Sequence, residues 1–225
     1  MRAVIDLFKQ IYDFIFPPLP FCAYCRERKR SIEDECEMCL ETRKRLKAGK
    51  SKKGNYACYY YDDIIKDIVW DYKYNRNEFL GEQIAYDIAK MIGEQNLNAD
   101  YITFVPLHRS KKRKRGFDQA KEICIKLEEF TDVQFVTMLK RIKKTDTQTL
   151  LSEKERKNNV KNAFKYIYTG ETAGKSVIII DDVYTTGATM ESCKKEMIEN
   201  GVEKVIPITY AKTFDQKNIK KDSLV

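Results

Sequence analysis

Long apolar runs are missing from this sequence. No stretch approaches the roughly 18 apolar residues of a membrane-spanning helix, so a transmembrane protein is not expected. Histidine is almost absent: His108 stands alone in 225 residues. In "PLHR" a hydrogen-bonded loop residue is a plainer reading than a general base. No internal repeat or low-complexity block appears. The opening segment "MRAVIDLFKQIYDFIFPPLP" lacks a small-residue cleavage site, which argues against a signal peptide. It is broken by Asp6, Lys9, Gln10 and Asp13, and Val4, Phe8, Ile11 and Ile15 fall on one helical face. A short helix packing on its own domain is expected, with a helix lying on a membrane surface as the alternative. The chain is placed in the cytoplasm.

What is present is positive charge and cysteine. Lys and Arg number 42 against 34 Asp and Glu, a net charge of +8. That balance favours anionic partners, nucleic acid or phosphate-rich metabolites, without choosing between them. Four of the seven cysteines, Cys22, Cys25, Cys36 and Cys39, form C-x2-C-x10-C-x2-C. Two such knuckles can close a tetrahedral structural zinc site, which has no open position for catalysis. The ten residues between them, "RERKRSIEDE", cannot build a core, so the metal would supply the stability. Disulfides or free thiols are the alternative. Cys58 stands alone, and Cys124 and Cys193 sit in helical apolar patterns and read as core.

The spacing predicts three regions: an N-terminal helix and zinc module over 1–50, an α/β domain over 55–215 and a polar tail over 216–225. "ETRKRLKAGKSKKGN" reads as a helix end and an exposed turn. "YACYYYDD", "DYITFVPL", "VQFVTMLKRI", "KSVIIIDDV" and "EKVIPITYA" read as strands. "NEFLGEQIAYDIAKMIGEQ", "GFDQAKEICIKLEEF" and "MESCKKEMIEN" read as helices, the last closed by Gly201 at C′. Alternation of strand and helix predicts a mostly parallel sheet with its ligand at the strand C-terminal ends.

One stretch carries the chemistry, "VIIIDDVYTTGATM" from Val177 to Met190. "VIII" fits a strand buried on both faces. Asp181 and Asp182 at its end are unlikely packing residues, because an unpaired buried carboxylate is costly. They are expected to point into the crevice. "TTGAT" then opens a helix, whose backbone N–H groups, with Gly187 and the threonine hydroxyls, make an anion cup. No Gly-Lys-Ser/Thr follows the strand, so this is not a Walker loop. Acids for sugar hydroxyls or a metal beside a phosphate cup describe a sugar-phosphate pocket.

This stretch resembles the ribose-phosphate motif of the type I phosphoribosyltransferases. The resemblance implies that fold, and Asp181 and Asp182 facing the ribose 2- and 3-hydroxyls of phosphoribosyl pyrophosphate. It further implies Thr185, Thr186, Gly187, Ala188 and Thr189 on the 5-phosphate, and Mg²⁺ with the sugar pyrophosphate. "VPLHRSKKRKRGFDQA", "RIKKTDTQTLLSEKERKNNVKNAF" and the four-cysteine, zinc-ribbon-like module together resemble the ComF family of competence-associated phosphoribosyltransferase-like proteins. The matching positions are Pro106, Arg115, Gly116, Phe117, Gln119, Arg141, Thr145, Gln148, Leu151, Arg156, Asn159 and Phe164. The family pattern has Asn where this chain has Asp118. A carboxylate there would repel pyrophosphate or face away from it.

The basic run "HRSKKRKRGF" reads as a loop after the "YITFVPL" strand. Arg109 and Arg115 are assigned to pyrophosphate, and Lys111, Lys112, Arg113 and Lys114 to a nucleic-acid backbone. A solvated loop without a ligand is the alternative. "KKTDTQTLLSEKERKNNV" is a candidate for the superfamily's closing loop, with Arg156 as the cation that reaches the ligand; a static surface helix is its alternative. Two functions remain open. One is a magnesium-dependent phosphoribosyltransferase of unidentified acceptor acting in natural competence. The other is a non-catalytic competence factor that senses phosphoribosyl pyrophosphate and binds single-stranded DNA, with a DNA-uptake helicase as partner.

Overall fold

The computed structural model of the chain describes residues 37–52, 54–75, 77–143 and 162–213. The opening helix, Cys22, Cys25, Cys36, the segment around Arg156 and the tail 216–225 lie outside the described residues. The elements run α1 (Glu37–Leu46), β1 (Lys47–Lys50), β2 (Tyr56–Tyr60), α2 (Asp63–Asn75), α3 (Glu78–Glu94), β3 (Tyr101–Phe104) and α4 (Arg109–Arg115). Then come α5 (Gln119–Leu127), β4 (Gln134–Phe135), β5 (Leu139–Arg141), β6 (Phe164–Tyr166), β7 (Ser176–Tyr184), α6 (Ala188–Glu199) and β8 (Lys204–Lys212).

Six strands form one sheet in the order β1-β2-β8-β7-β3-β4, parallel throughout except for β1 on β2. Its centre is β7, paired with β8 from Ser176↔Lys204 to Tyr184↔Lys212 and with β3 from Tyr101↔Val177 to Phe104↔Ile180. Val177–Ile180 are fully buried because both sheet faces are covered. On one face Ile178 and Ile180 join α2, α3 and α5 through Ile65, Ile84, Ile88 and Ile123. On the other, Val177 and Ile179 pack on α6 and the β5–β6 pair through Met190, Cys193, Met197 and Phe164. Cys124 and Cys193 are core residues, as their patterns predict.

After β7 the chain crosses through α6 to β8, and after β3 it crosses to β4 on the opposite side. The sheet therefore changes direction between β3 and β7, and a crevice opens at their carboxyl ends, where parallel sheets hold ligands.

Several expectations change. "VQFVTMLKRI" is two short strands in different sheets. Val136 N–H still bonds Ile102 O, but Met138 N–H turns to the Thr103 hydroxyl, so the chain leaves the sheet edge there. β5 then pairs antiparallel with β6, which was read as part of a polar stretch. The basic run is the helix α4, and "DIIKDIVWDYKYN" is the helix α2, neither of which was expected. "KAGK" is an edge strand rather than a turn. Gly201 takes the left-handed conformation (φ +95°) just after Asn200 closes α6, as predicted.

The described part of residues 1–50 is built onto the α/β domain. Arg43 of α1 reaches Asp87 of α3 at 2.5 Å and donates to the Tyr59 hydroxyl at 2.8 Å, all of it buried. Gln83 also donates to Asp87. Removing one partner leaves a buried charge uncompensated. Asp87→Ala is expected to cost about 3–5 kcal/mol in denaturant unfolding, whereas Arg43→Met with Asp87→Leu should recover most of that loss.

Candidate functional site

The crevice encloses about 370 Å³ and is lined by the turn after β3 (Val105–Leu107), the end of β7 and the start of α6. Thr185, Thr186, Gly187, Ala188 and Thr189 all line it, as do Asp181 and Asp182. Gly187 is the N-cap of α6 at φ +78°, ψ −4°. A side chain there would be strained by the backbone and would collide with the Tyr184 ring. The α6 N–H groups thus open onto the crevice beside three threonines, a cup for a phosphate.

The acids lie within β7 rather than beyond it, since the strand runs through Tyr184. Consecutive strand residues point to opposite faces. Asp182 leaves on the α2 side, where its Oδ2 lies 2.7 Å from Lys73 Nζ. Asp181 leaves on the α6 side, where it feels Arg141 and Cys193. Burial and the adjoining Asp182 carboxylate push Asp181 up to about 8, opposed by the Asp182 N–H it accepts and by Lys73 and Arg141. Both acids line the crevice, and the pleat sends them to opposite faces of the strand.

Helix α4 divides the basic run. His108 caps it, its Nδ1 accepting from Ser110 N–H at 3.2 Å, and Gly116 ends it at φ +85°. His108 is thus held as a cap. The helical period puts Lys111 and Arg115, four apart, on the crevice side. Arg109, Lys112, Arg113 and Lys114 are exposed. Arg109, assigned to pyrophosphate from the sequence, does not line the crevice, and Lys111, assigned to DNA, does. Arg115 donates to Gln119 Oε1 at 2.8 Å and lies 5.3 Å from the Tyr74 ring centre.

Two further cations, Lys73 and Arg141, line the crevice and were missed as site residues. Arg141 is buried and stacked over Phe164; its place among the matching positions was the signal that could have found it. Lys73 carries no local signal, because its position depends on how α2 packs. Burial, then Arg141, Arg115 and Lys73, pull Lys111 below its ordinary pKa. Four cations therefore line the crevice with two carboxylates, one of them raised in pKa by burial, and the crevice is positive on balance.

Asp118 does not line the crevice. Its Oδ2 accepts from Leu107 N–H at 3.1 Å, so this buried carboxylate holds the turn after β3 from behind. Burial raises its pKa and that hydrogen bond opposes the rise. Of the two expectations for this position, facing away is the one observed. Gly174-Lys175-Ser176 enters β7 at the far end from the crevice, where Ser176 N–H and Lys175 Nζ bind Asp100 at 2.8 and 3.2 Å. It ties strand starts together and is no phosphate loop.

Residues 81–223, which include this crevice's β7 and α6, match the family model of the phosphoribosyl transferase domain. The chain belongs to that family. It is 27% identical over 205 residues to competence protein F of Haemophilus influenzae, covering 88% of this chain and 84% of the relative. It is 25% identical over 185 residues to competence protein ComFC of Bacillus subtilis, covering 80% and 72%. The DNA utilization protein YhgH of Escherichia coli is 35% identical over 107 residues, 47% of this chain and 46% of the relative. These relatives support the ComF resemblance. Of the zinc ligands expected in that family only Cys39 is described, buried on α1. No helix among the described residues is long and apolar enough to cross a membrane.

Asp181 gives a pH signature. Its folded pKa is raised above the unfolded value of 3.8, so its contribution to stability is complete below about pH 4 and is lost as pH rises toward 8. Asp181→Asn should therefore raise the melting temperature of the ligand-free protein at pH 8, by roughly 2–4 °C per kcal/mol recovered, and change it little at pH 4. Thermal melts across that range check this.

Proposed function

We propose that the crevice binds phosphoribosyl pyrophosphate and transfers its ribosyl group to an unidentified acceptor. The observation that carries this reading is the crevice's charge: four cations around two acids, with a phosphate cup at its edge. Membership of the phosphoribosyl transferase domain family supports it. The cup at Thr185–Thr189 holds the 5-phosphate through N–H groups and hydroxyls. Asp181 and Asp182 accept from the ribose hydroxyls from opposite sides of the strand. Lys111 and Arg115 face the pyrophosphate, and Arg141 lies beneath them. The bond from the anomeric carbon to pyrophosphate breaks with its electron pair leaving on the pyrophosphate oxygen, and the acceptor's lone pair takes that carbon. Preplaced cations stabilise the charge that grows on the leaving group.

The carboxylates are hard oxygen donors, the type Mg²⁺ takes one or two at a time along with substrate phosphates. Asp181 and Asp182 are the residues that would hold it. Bound with the ligand, the metal would add charge neutralisation at the pyrophosphate. The competence and DNA-utilization relatives support reading this chemistry as part of natural competence. The four-cysteine zinc module, of which Cys39 alone is described, and Arg156, outside the described residues, are also part of the proposal.

With magnesium, the ligand at about 100 times its dissociation constant should stabilise the protein by roughly 2.7 kcal/mol. Asp181→Asn with Asp182→Asn should abolish that gain. Release of pyrophosphate on adding members of a nucleobase panel would identify an acceptor. Equal ligand stabilisation of parent and double variant would move the site elsewhere.

A second reading rests on the surface beside the crevice. Trp70 and Tyr74 are 55% and 52% exposed, with ring centres 5.4 Å apart, and Arg115 of the basic helix α4 reaches over the Tyr74 ring. Stacking aromatics beside a basic track suit single-stranded DNA. Replacing Arg109, Lys112, Arg113 and Lys114 by Ala should flatten the slope of log affinity against log salt by up to about 2–3 units. An unchanged slope would exclude α4 as the DNA surface.

A further inference from the structure

Lys73 stands apart from the other crevice cations. It comes from α2, ahead of the family-matched span 81–223. Its ammonium lies 2.7 Å from Asp182 Oδ2, and the two side chains are only 17% and 16% exposed. In so dry a pair, a ligand hydroxyl takes Asp182 only by loosening Lys73. Loosening Lys73 leaves a half-buried ammonium that needs a new anion. A ribose phosphate without pyrophosphate offers hydroxyls to the carboxylate but no anion beside them. Inorganic pyrophosphate offers the anion but no donor for the carboxylate. A ligand with a diol and a pyrophosphate side by side satisfies both halves at once.

We propose that Lys73 is a specificity latch: its ion pair with Asp182 opens only for a sugar that carries a diol next to a pyrophosphate, and so rejects either fragment alone. This rests on the reading that a phosphorylated ribose occupies the crevice, and it adds how that site chooses. The Asp182 charge is also felt by Tyr61, Tyr72, Lys111 and Asp118, so the latch lies within electrostatic reach of α2 and α4.

The molecule carries its own reporter. Trp70 is the sole tryptophan, exposed and one helical turn before Lys73 on α2. It stacks near Tyr74, over which Arg115 reaches back from the crevice. A change at Lys73 or Arg115 therefore alters the surroundings of one fluorophore.

The test titrates the full chain, Lys73→Met and Lys73→Arg by calorimetry in magnesium buffer, with Trp70 emission followed in parallel. The probes are phosphoribosyl pyrophosphate, ribose 5-phosphate and inorganic pyrophosphate. The parent and Lys73→Arg should prefer the intact ligand. In Lys73→Met, ribose 5-phosphate should bind about tenfold tighter than to the parent, one 1.4 kcal/mol step, while pyrophosphate gains nothing. Trp70 emission should respond to the intact ligand in the parent and lose that response in Lys73→Met. If Lys73→Met does not fold, Lys73→Gln carries the same expectation. Equal weakening of all three probes would make Lys73 a simple positive charge and overturn the latch. Binding of no probe to any of the proteins would overturn the ribose-phosphate reading itself.

Discussion

Strand β7 is buried on both faces from Val177 to Ile180, and its pleat continues unbroken into two carboxylates. A central strand cannot present consecutive side chains to one side. Asp181 and Asp182 must therefore be accommodated by two different layers. The α2 layer answers Asp182 with Lys73. The other layer sets Arg141 near Asp181, and burial raises the pKa of that acid.

The resulting balance is unequal by construction. Lys73, Lys111, Arg115 and Arg141 gather around two acids, four cations to two carboxylates. Holding like charges together in a partly dry space costs stability, and the lowered pKa of Lys111 is one expression of that cost. Arg43 and Asp87 show the opposite arrangement far from the crevice. There a buried cation meets a buried anion, with Tyr59 and Gln83 filling further hydrogen bonds, and α1 is fastened to α3. One site is matched for structure; the other is mismatched in the sense an anionic ligand corrects.

Helix α4 shows how a charge run acquires a direction. Six cations in seven residues repel one another in any conformation. Lysine and arginine are nonetheless good helix formers, and their charge is favourable near a helix C-terminus. With His108 capping one end and Gly116 the other, the helix turns Lys111 and Arg115 inward and the rest to solvent. The same short segment thus presents cations both to the crevice and to solvent.

Much of this was legible in the sequence because it rests on local periodicity and local chemistry. The run "VIII" set a doubly covered strand, i+4 apolar steps set α3, Gly201 set the end of α6, and "TTGAT" set the helix start that opens on the crevice. Each depends on residues within a turn or two of one another. What the sequence could not reveal depends on which surfaces meet. Lys73 reaches Asp182 across more than a hundred residues of chain only because α2 packs beside the end of β7. Arg141 lies under the crevice because the chain leaves the sheet at Met138. Asp118 faces the back of the turn because Leu107 offers it an N–H. Charges carry no periodic signal of their partners; the packing of the two layers on β7 assigned them.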